Sequence, residues 1–326
     1  MTVSVVILNW NTKEYLRRFL PGLIASCEGL DAEVVVADNG STDGSMEMLA
    51  EEFPDVARIG LDRNYGFTGG YNRALEKLDS DFFVLLNTDV EVSPDWLRIL
   101  LKWMEEHPEC GICGPKLLSY DERGRFEYAG AAGGYIDVFG YPYCRGRVLK
   151  KVEEDRNQYD TPENVMWVSG ACLMIRRSLW ESLGGLDDSF FAHMEEIDLC
   201  WRAQLEGFKV QSVPESKVYH IGGGTLSNDS PWKLKLNFRN NLLMLRKNLP
   251  RTVGRLRTGL ILFFRMALDG LAALAYLLKG RKDCFKSVVE AHNEYREMKR
   301  SLRPQYGKRE IDGCLKGSIF IKYLTV

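Results

Sequence analysis

Two short apolar runs in the first ninety residues each end on an aspartate: AEVVVAD closes at Asp38 and FFVLLNTD at Asp89. Both are β-rich and apolar almost throughout, the pattern of strands covered on both faces. Ligands of open α/β sheets bind outside the carboxyl ends of such strands, so the two carboxylates are delivered towards one edge. Further along come Glu195 and Glu196 within HMEEIDLCWR, and then His220. A nucleoside diphosphate leaving group concentrates negative charge, and a hard divalent cation held by carboxylate oxygens offsets it as the bond breaks. Asp89 is the leading candidate for a metal ligand.

The rest of the first half alternates in the same way. Strands are predicted at 3–9, 33–37, 56–60 and 82–87, and helices at 12–27, 45–53, 70–78 and from Ser93-Pro94 to Glu106, with Ser41-Thr42-Asp43-Gly44-Ser45 supplying N-cap chemistry for the second. Such alternation implies a parallel sheet. Residues 120–165, rich in Gly, Tyr and charge, read as hairpins and loops over the site. A strand resumes over 165–176, a helix follows at 195–206, and strands lie near 208–213 and 216–220. The character changes at Ser230-Pro231, dividing the chain into 1–232 and a helical extension, 233–326.

Seven segments resemble the family 2 glycosyltransferases of GT-A fold, in the bacterial rhamnosyltransferase-like and polysaccharide-assembly branch: VSVVILNWN (3–11), VVVADNGSTDGS (34–45), NYGFTGGYN (64–72), LLNTDV (85–90), VSGACLMIRR (168–177), EEIDLCWR (195–202) and VYHIGGGT (218–225). They follow the family's order. The resemblance implies a GT-A nucleotide-sugar-binding domain with a mainly parallel central sheet, followed by the helical extension. It also implies an inverting enzyme that moves a hexose or deoxyhexose from a UDP-, dTDP- or GDP-sugar to a hydroxyl of a lipid-linked glycan in cell-surface polysaccharide synthesis.

Carried onto this sequence, the family pattern places Asp38 against the base or ribose, with Asn9 beside it and Trp10 as a stacking face. Asn64, Gly66 and Asn72 belong to the loop that shapes the nucleotide pocket. Asn87 stands where the family usually has the first carboxylate of Asp-x-Asp; its carbonyl still coordinates, with one charge fewer. Asp89 and His220 are the implied metal ligands, and an imidazole favours Mn over Mg. Glu196 takes the position of the base and Glu195 stands second to it. Trp167, Gly170 and Arg202 are expected on the acceptor side.

Each residue also has a plainer reading. Asp43 can cap a helix, Trp10, Trp167 and Trp201 can be core, His220 can be structural, and Arg202 is spaced to pair with Asp198 at i,i+4. Two other functions compete. A nucleotidyltransferase would carry a Gly- and basic-rich phosphate loop near its first strand, which VVILNWNTKEY lacks. A silent nucleotide-sugar scaffold would tolerate Asn87, but the intact EEIDLCWR argues for catalysis.

Charge is uneven along the chain. Residues 1–232 hold 22 Lys and Arg against 38 Asp and Glu, whereas 233–326 hold 21 against 7. The basic third points to an anionic partner, and residues 260–278, LILFFRMALDGLAALAYLL, are long enough to span a bilayer. Arg265 and Asp269 near its middle oppose insertion but can pair at i,i+4. A helix lying on an anionic inner leaflet is therefore expected, with an oligomer or core helix as the alternative. Basic residues interleaved with Leu and Phe, without a recognition motif, exclude nucleic acid. The N-terminus enters a strand without signal-peptide features, and eight scattered cysteines fit a reducing compartment, so the catalytic part is expected in the cytoplasm. Cys110 and Cys113 read as part of a buried strand rather than a metal or redox pair.

Overall fold

The computed structural model describes residues 1–128, 130–222, 230–315, 317–319, 321 and 323. Strand β1 (Val3–Asn9) lies parallel between β2 (Ala32–Asp38) and β4 (Phe82–Leu86), and β3 (Ala57–Gly60) extends the sheet beyond β2. Successive residues of these strands feed two cores: Val6, Val35 and Leu85 face one, and Val5, Val36 and Val84 the other. That is why the runs are apolar without alternation. Helices α1 (Lys13–Cys27), α2 (Ser45–Glu52), α3 (Gly66–Leu75) and α4 (Trp96–Glu106) supply the connections.

The second half of the sheet departs from the parallel expectation. Beyond β4 come β12 (Cys172–Arg176), β6 (Cys110–Ser119), β13 (Lys209–His220) and the short β11 (Glu163–Asn164). β12 runs antiparallel to both β4 and β6, while β6 and β13 are parallel to each other. β5 (Val90–Val92) pairs antiparallel with the end of β13. Six of the nine strands still point one way, so the sheet is mixed but mainly parallel. Cys110 and Cys113 are buried in β6.

Some boundaries differ from the sequence reading. α3 starts at Gly66, four residues early, because the glycine-rich string is itself the first turn of the helix. The strand expected over 165–176 is regular only from Cys172, and the two strands after 208 are one, bent where its register on β6 shifts between Val213 and Lys217. The excursion of 120–165 folds into a four-stranded antiparallel sheet of β7 (Gly134–Ile136), β8 (Pro142–Cys144), β9 (Arg147–Val148) and β10 (Lys151–Val152). Helix α5 (Arg177–Leu183) follows β12, and α6 (Glu195–Leu205) precedes β13.

Beyond Ser230 the chain forms α7 (Pro231–Leu278) and α8 (Lys282–Met298), packed together. α7 is broken at Gly254, whose φ of 77° and ψ of 176° are not helical. Its second half carries the Arg265–Asp269 pair on the buried side: Arg265 Nε donates to Asp269 Oδ1 at 2.8 Å, and Asp269 Oδ2 lies 3.2 Å from His292 of α8. Arg265 also donates to Asn241 Oδ1 at 2.6 Å and covers the Tyr141 ring. The opposite side exposes Leu260, Phe263, Phe264, Leu271, Leu274 and Leu278, bracketed by exposed Arg255 and Arg257 before and Lys279, Arg281 and Lys282 after.

Candidate active site

Register brings the first site residues together. Asn9 ends β1 directly opposite Asp38 at the end of β2, and its side-chain amide donates to Asp38 Oδ1 at 2.7 Å and to Ser41 Oγ at 3.0 Å. Ser41 N–H donates to the other Asp38 oxygen at 2.9 Å. Asp38 is thus aimed by its neighbours rather than free to rotate, and Asn9, fully buried, is a support for it. Trp10 follows, 39% exposed, so its ring is open at the sheet edge and is not core. Asp43 is a cap: it accepts from the N–H of Ser45, which opens α2, and from that of Lys13, which opens α1.

Asn39, which belongs to no expected site, ties this strand end to the glycine loop. Its amide donates to Asn64 Oδ1 and to the Gly66 carbonyl, and its own oxygen accepts from Tyr65 N–H at 3.0 Å. Asn64 turns back to accept from Gly66 N–H at 2.8 Å. Gly66 has a φ of 73°, and a Cβ there would stand 2.5 Å from the Phe191 ring, so both conformation and space demand glycine. Asn72 is turned elsewhere: its amide donates to Leu186 O and Asp188 Oδ1 and its oxygen accepts from Leu186 N–H. It fastens α3 to the segment that leads towards α6.

The second cluster depends on β5 crossing to β13, which sets Val90 opposite His220. Asp89, buried, then lies 3.1 Å from His220 Nε2, while His220 Nδ1 faces Glu127 Oε1 at 3.4 Å. Burial disfavours charge on His220, but the hydrogen bonds to Asp89 and Glu127 outweigh it and push its pKa up to about 10. Burial likewise opposes ionisation of Asp89, and the bond from His220 outweighs it, holding that carboxyl below its usual range. Asn87 precedes them, half-buried, with its N–H on the Ala171 carbonyl. Glu127 has no motif to announce it, and only the folded 120–165 segment brings it to the imidazole. Gly222 is described, whereas Gly223, Gly224 and Thr225 of the VYHIGGGT segment lie outside the described residues.

These groups fit a divalent cation. In metal-bound histidines one ring nitrogen meets the ion and the other donates to a carboxylate; Glu127 beside Nδ1 suits the second role, and an ion between Asp89 and His220 would replace the Nε2 proton that faces Asp89. Asp89 and His220 would hold the ion, with Glu127 behind His220. No cluster of three His, Cys, Asp or Glu side chains suited to a metal exists among the described residues.

The third cluster is the start of α6. Phe191, His193 and Met194 all hold left-handed φ angles of 65°, 70° and 73°, each costing about 1–3 kcal/mol for a residue with a side chain. Strain of this kind immediately before Glu195 and Glu196 fixes where they emerge. Burial, joined by the neighbouring Glu196 charge, raises Glu195 well above the ordinary carboxylate range. Burial pushes Glu196 up to about 7, against the backbone N–H groups at the helix start. Glu195 is buried whereas Glu196 keeps some surface, so Glu196 is the reachable one. A Cβ on Gly170 would stand in ordinary contact, 3.4 Å from Glu196 Cβ and 3.6 Å from Phe67, so Gly170 lies against the stem of Glu196. Burial also lowers His193 to about 4, helped by the Lys233 charge.

The model of glycosyl transferase family 2 matches residues 4–184. The chain belongs to that family. Its fold is GT-A, and the protein is a glycosyltransferase. It is 27% identical over 258 residues to the N-acetylglucosaminyl-diphospho-decaprenol L-rhamnosyltransferase of Mycobacterium tuberculosis, covering 74% of this chain and 83% of that one. It is 24% identical to the rhamnosyltransferase WbbL of Escherichia coli, covering 73% and 91%. Among solved structures, the mannosyltransferase PcManGT of Pyrobaculum calidifontis, in complex with GDP-Man and Mn2+, matches with a TM-score of 0.55 at 17% identity, covering 91% of this chain and 75% of that one.

The residues expected on the acceptor side of this glycosyltransferase divide. Gly170 borders Glu196. Trp167 is buried beneath Gly134, where a Cβ would fall 2.1 Å from its indole, and its Nε1 donates to the Tyr135 carbonyl. Arg202 pairs with Asp198 at 2.7 Å and donates to the Leu183 and Gly185 carbonyls. Trp201 is core, with Nε1 donating to Thr252.

Proposed function

We propose that the protein is an inverting, divalent-metal-dependent transferase that passes a hexose or deoxyhexose from a nucleoside-diphosphate sugar to a hydroxyl of a lipid-linked glycan. The observation that carries this reading is the environment of Glu196: a half-buried residue at the start of α6 beside Gly170, its carboxyl pushed up to about 7 and its Oε2 buried without a hydrogen-bond partner among the described residues. Such a group is poised to take a proton at neutral pH. Burial and the Glu196 charge both raise Glu195, so the pair resists carrying two adjacent charges.

In this mechanism Asp38, set by Asn9 and Ser41, accepts from the nucleoside, and the Asn39–Asn64–Gly66 network shapes the wall against the donor. Glu196 removes the acceptor hydroxyl proton as the oxygen attacks the anomeric carbon, and the bond to the diphosphate oxygen breaks on the opposite face. The proton ends on Glu196, the electron pair on the diphosphate, and the configuration inverts. When bound by Asp89 and His220, a divalent cation supplies the charge that the departing diphosphate needs. The names of the relatives, rhamnosyltransferases including one on a diphospho-decaprenol substrate, favour a deoxyhexose donor and a polyprenyl-linked acceptor.

The reading extends to place. A lipid-linked acceptor is met at a membrane, and the apolar stripe of α7 with its basic brackets supports a peripheral seat on the anionic inner leaflet. Arg265 and Asp269 face the protein, which suits a helix lying on the surface better than one crossing it. The test of the chemistry is Glu196→Gln: transfer should fall by about 10²–10⁴-fold with donor affinity unchanged. Wild-type turnover in that variant would overturn the base assignment.

A further inference from the structure

The strained turn before α6 has no cap from its own side chain, since Met194 makes no side-chain hydrogen bond to the helix. Its peptide groups are instead gripped from two sides. From α3, the N–H groups of Phe67 and Thr68 donate to the Phe191 carbonyl at 2.8 and 3.2 Å. From α7, the Asn240 amide nitrogen lies 2.9 Å from the Phe190 carbonyl and 2.8 Å from those of both Ala192 and His193. Arg239 adds Nη2 to the carbonyls of Phe190 at 3.0 Å and Ser189 at 3.3 Å.

We propose that Asn240, aided by Arg239, is a positioning residue for sugar transfer: it locks the peptide planes of 190–193 and thereby sets where Glu196 meets the acceptor hydroxyl. The proposal rests on the reading of Glu196 as base. The orientation of the amide is fixed by its partners, because three carbonyls require the NH2 group and Arg239 Nε donates to the Asn240 oxygen at 2.9 Å. Arg239 is itself held by Glu294 of α8 at 2.9 Å. Asn240 is fully buried and Arg239 nearly so, and the donors are spent on one short turn. The sequence suggests that Arg239-Asn240-Asn241 faces the diphosphate or joins two domains, whereas these bonds point at the segment that carries the base. Of the three residues with left-handed φ, Asn240 bonds the carbonyl of His193 directly and flanks Phe191 through the carbonyls of Phe190 and Ala192; strained backbone held from another element is the form stored strain takes at working sites.

The experiment compares Asn240→Ala with Asn241→Ala, a neighbour equally buried on α7 whose side chain bonds Gly140 and Arg265 instead. For each purified full-length variant, UDP, dTDP and GDP binding with Mn2+ is titrated calorimetrically, and kcat is expressed per donor-binding site. Asn240→Ala is expected to keep the donor Kd within about twofold while kcat per site falls about 30-fold or more, the scale on which small misplacements of a reacting group are felt. Asn241→Ala is expected to melt earlier yet keep kcat per site within about threefold. Wild-type kcat per site in Asn240→Ala, or an equal loss in Asn241→Ala, overturns the proposal. If Asn240→Ala fails to fold, Arg239→Gln takes its place and must show the same split in smaller measure; an unchanged kcat there overturns it. Glu196→Gln is run alongside. Turnover in Glu196→Gln with a slow Asn240→Ala overturns the base assignment alone, and a dead Glu196→Gln with a fast Asn240→Ala overturns the clasp alone.

Discussion

As the proposed base, Glu196 ties activity to stability through its ionisation. Its pKa in the folded protein lies above that of an unfolded chain, so folding favours the protonated form. The sign follows: stability is highest below the unfolded pKa and falls as pH rises from about 4.5 towards 7. Glu196→Gln removes this loss, and at pH 8 it should melt a few degrees above wild type, reflecting about 2 kcal/mol, while the two melt together near pH 4. A lower melting point for the variant at pH 8 would contradict the burial argument. His220 gives a second residue-scale outcome. Mn2+ should support faster transfer than Mg2+ in the wild type, and His220→Gln should erase that preference while Glu127→Gln weakens it. Equal activity of wild type with both ions would remove His220 from the metal shell. These residues are legible in the sequence to different degrees. Asp38 and Asp89 stand out because a charged group that closes an apolar run sits where the strand leaves the core, at the edge that receives ligands. Glu127 and Asn240 do not, because each acquires its role from a partner about 50 to 95 positions away that no local pattern announces.

At the scale of elements, the first four strands and the helices between them are readable from period and punctuation, whereas the short β5 and the direction of β12 are not. An antiparallel strand buried on both faces carries the same apolar signature as a parallel one. The start of α3 is hidden because glycine argues against a helix interior by propensity, while here Gly66, Gly69 and Gly70 are needed for close approach of Phe191, Tyr65 and Leu8. This gives an element-scale outcome. Gly66→Ala should displace the loop from the turn at Phe191, costing about 2 kcal/mol or more in stability and weakening donor binding measured by calorimetry. Unchanged stability would mean that the two segments separate freely.

For the whole molecule, the division of charge and the exposed face of α7 predict a protein that floats with vesicles containing phosphatidylglycerol and not with phosphatidylcholine alone. Replacing both Phe263 and Phe264 by Ser should reduce that binding about tenfold or more, with donor binding unchanged. Binding that survives both changes would move the contact to another surface. The pairing of Arg265 with Asp269 is legible in their spacing; that both face Asn241, Tyr141 and His292 rather than lipid is visible only in the packed structure.

The bond between Asp89 and His220 joins residues 131 positions apart, and the turn before Glu195 waits for Asn240, beyond both. Synthesis proceeds from the N-terminus and folding follows it, so β1 to β4 are made long before either the Asp89–His220 pair or the held turn can form. A chain cut short before α7 therefore carries Asp38 and Asp89 at its strand ends without the side chain that holds the turn before Glu195. The held position of Glu196 is thereby completed only in chains whose synthesis has passed Asn240.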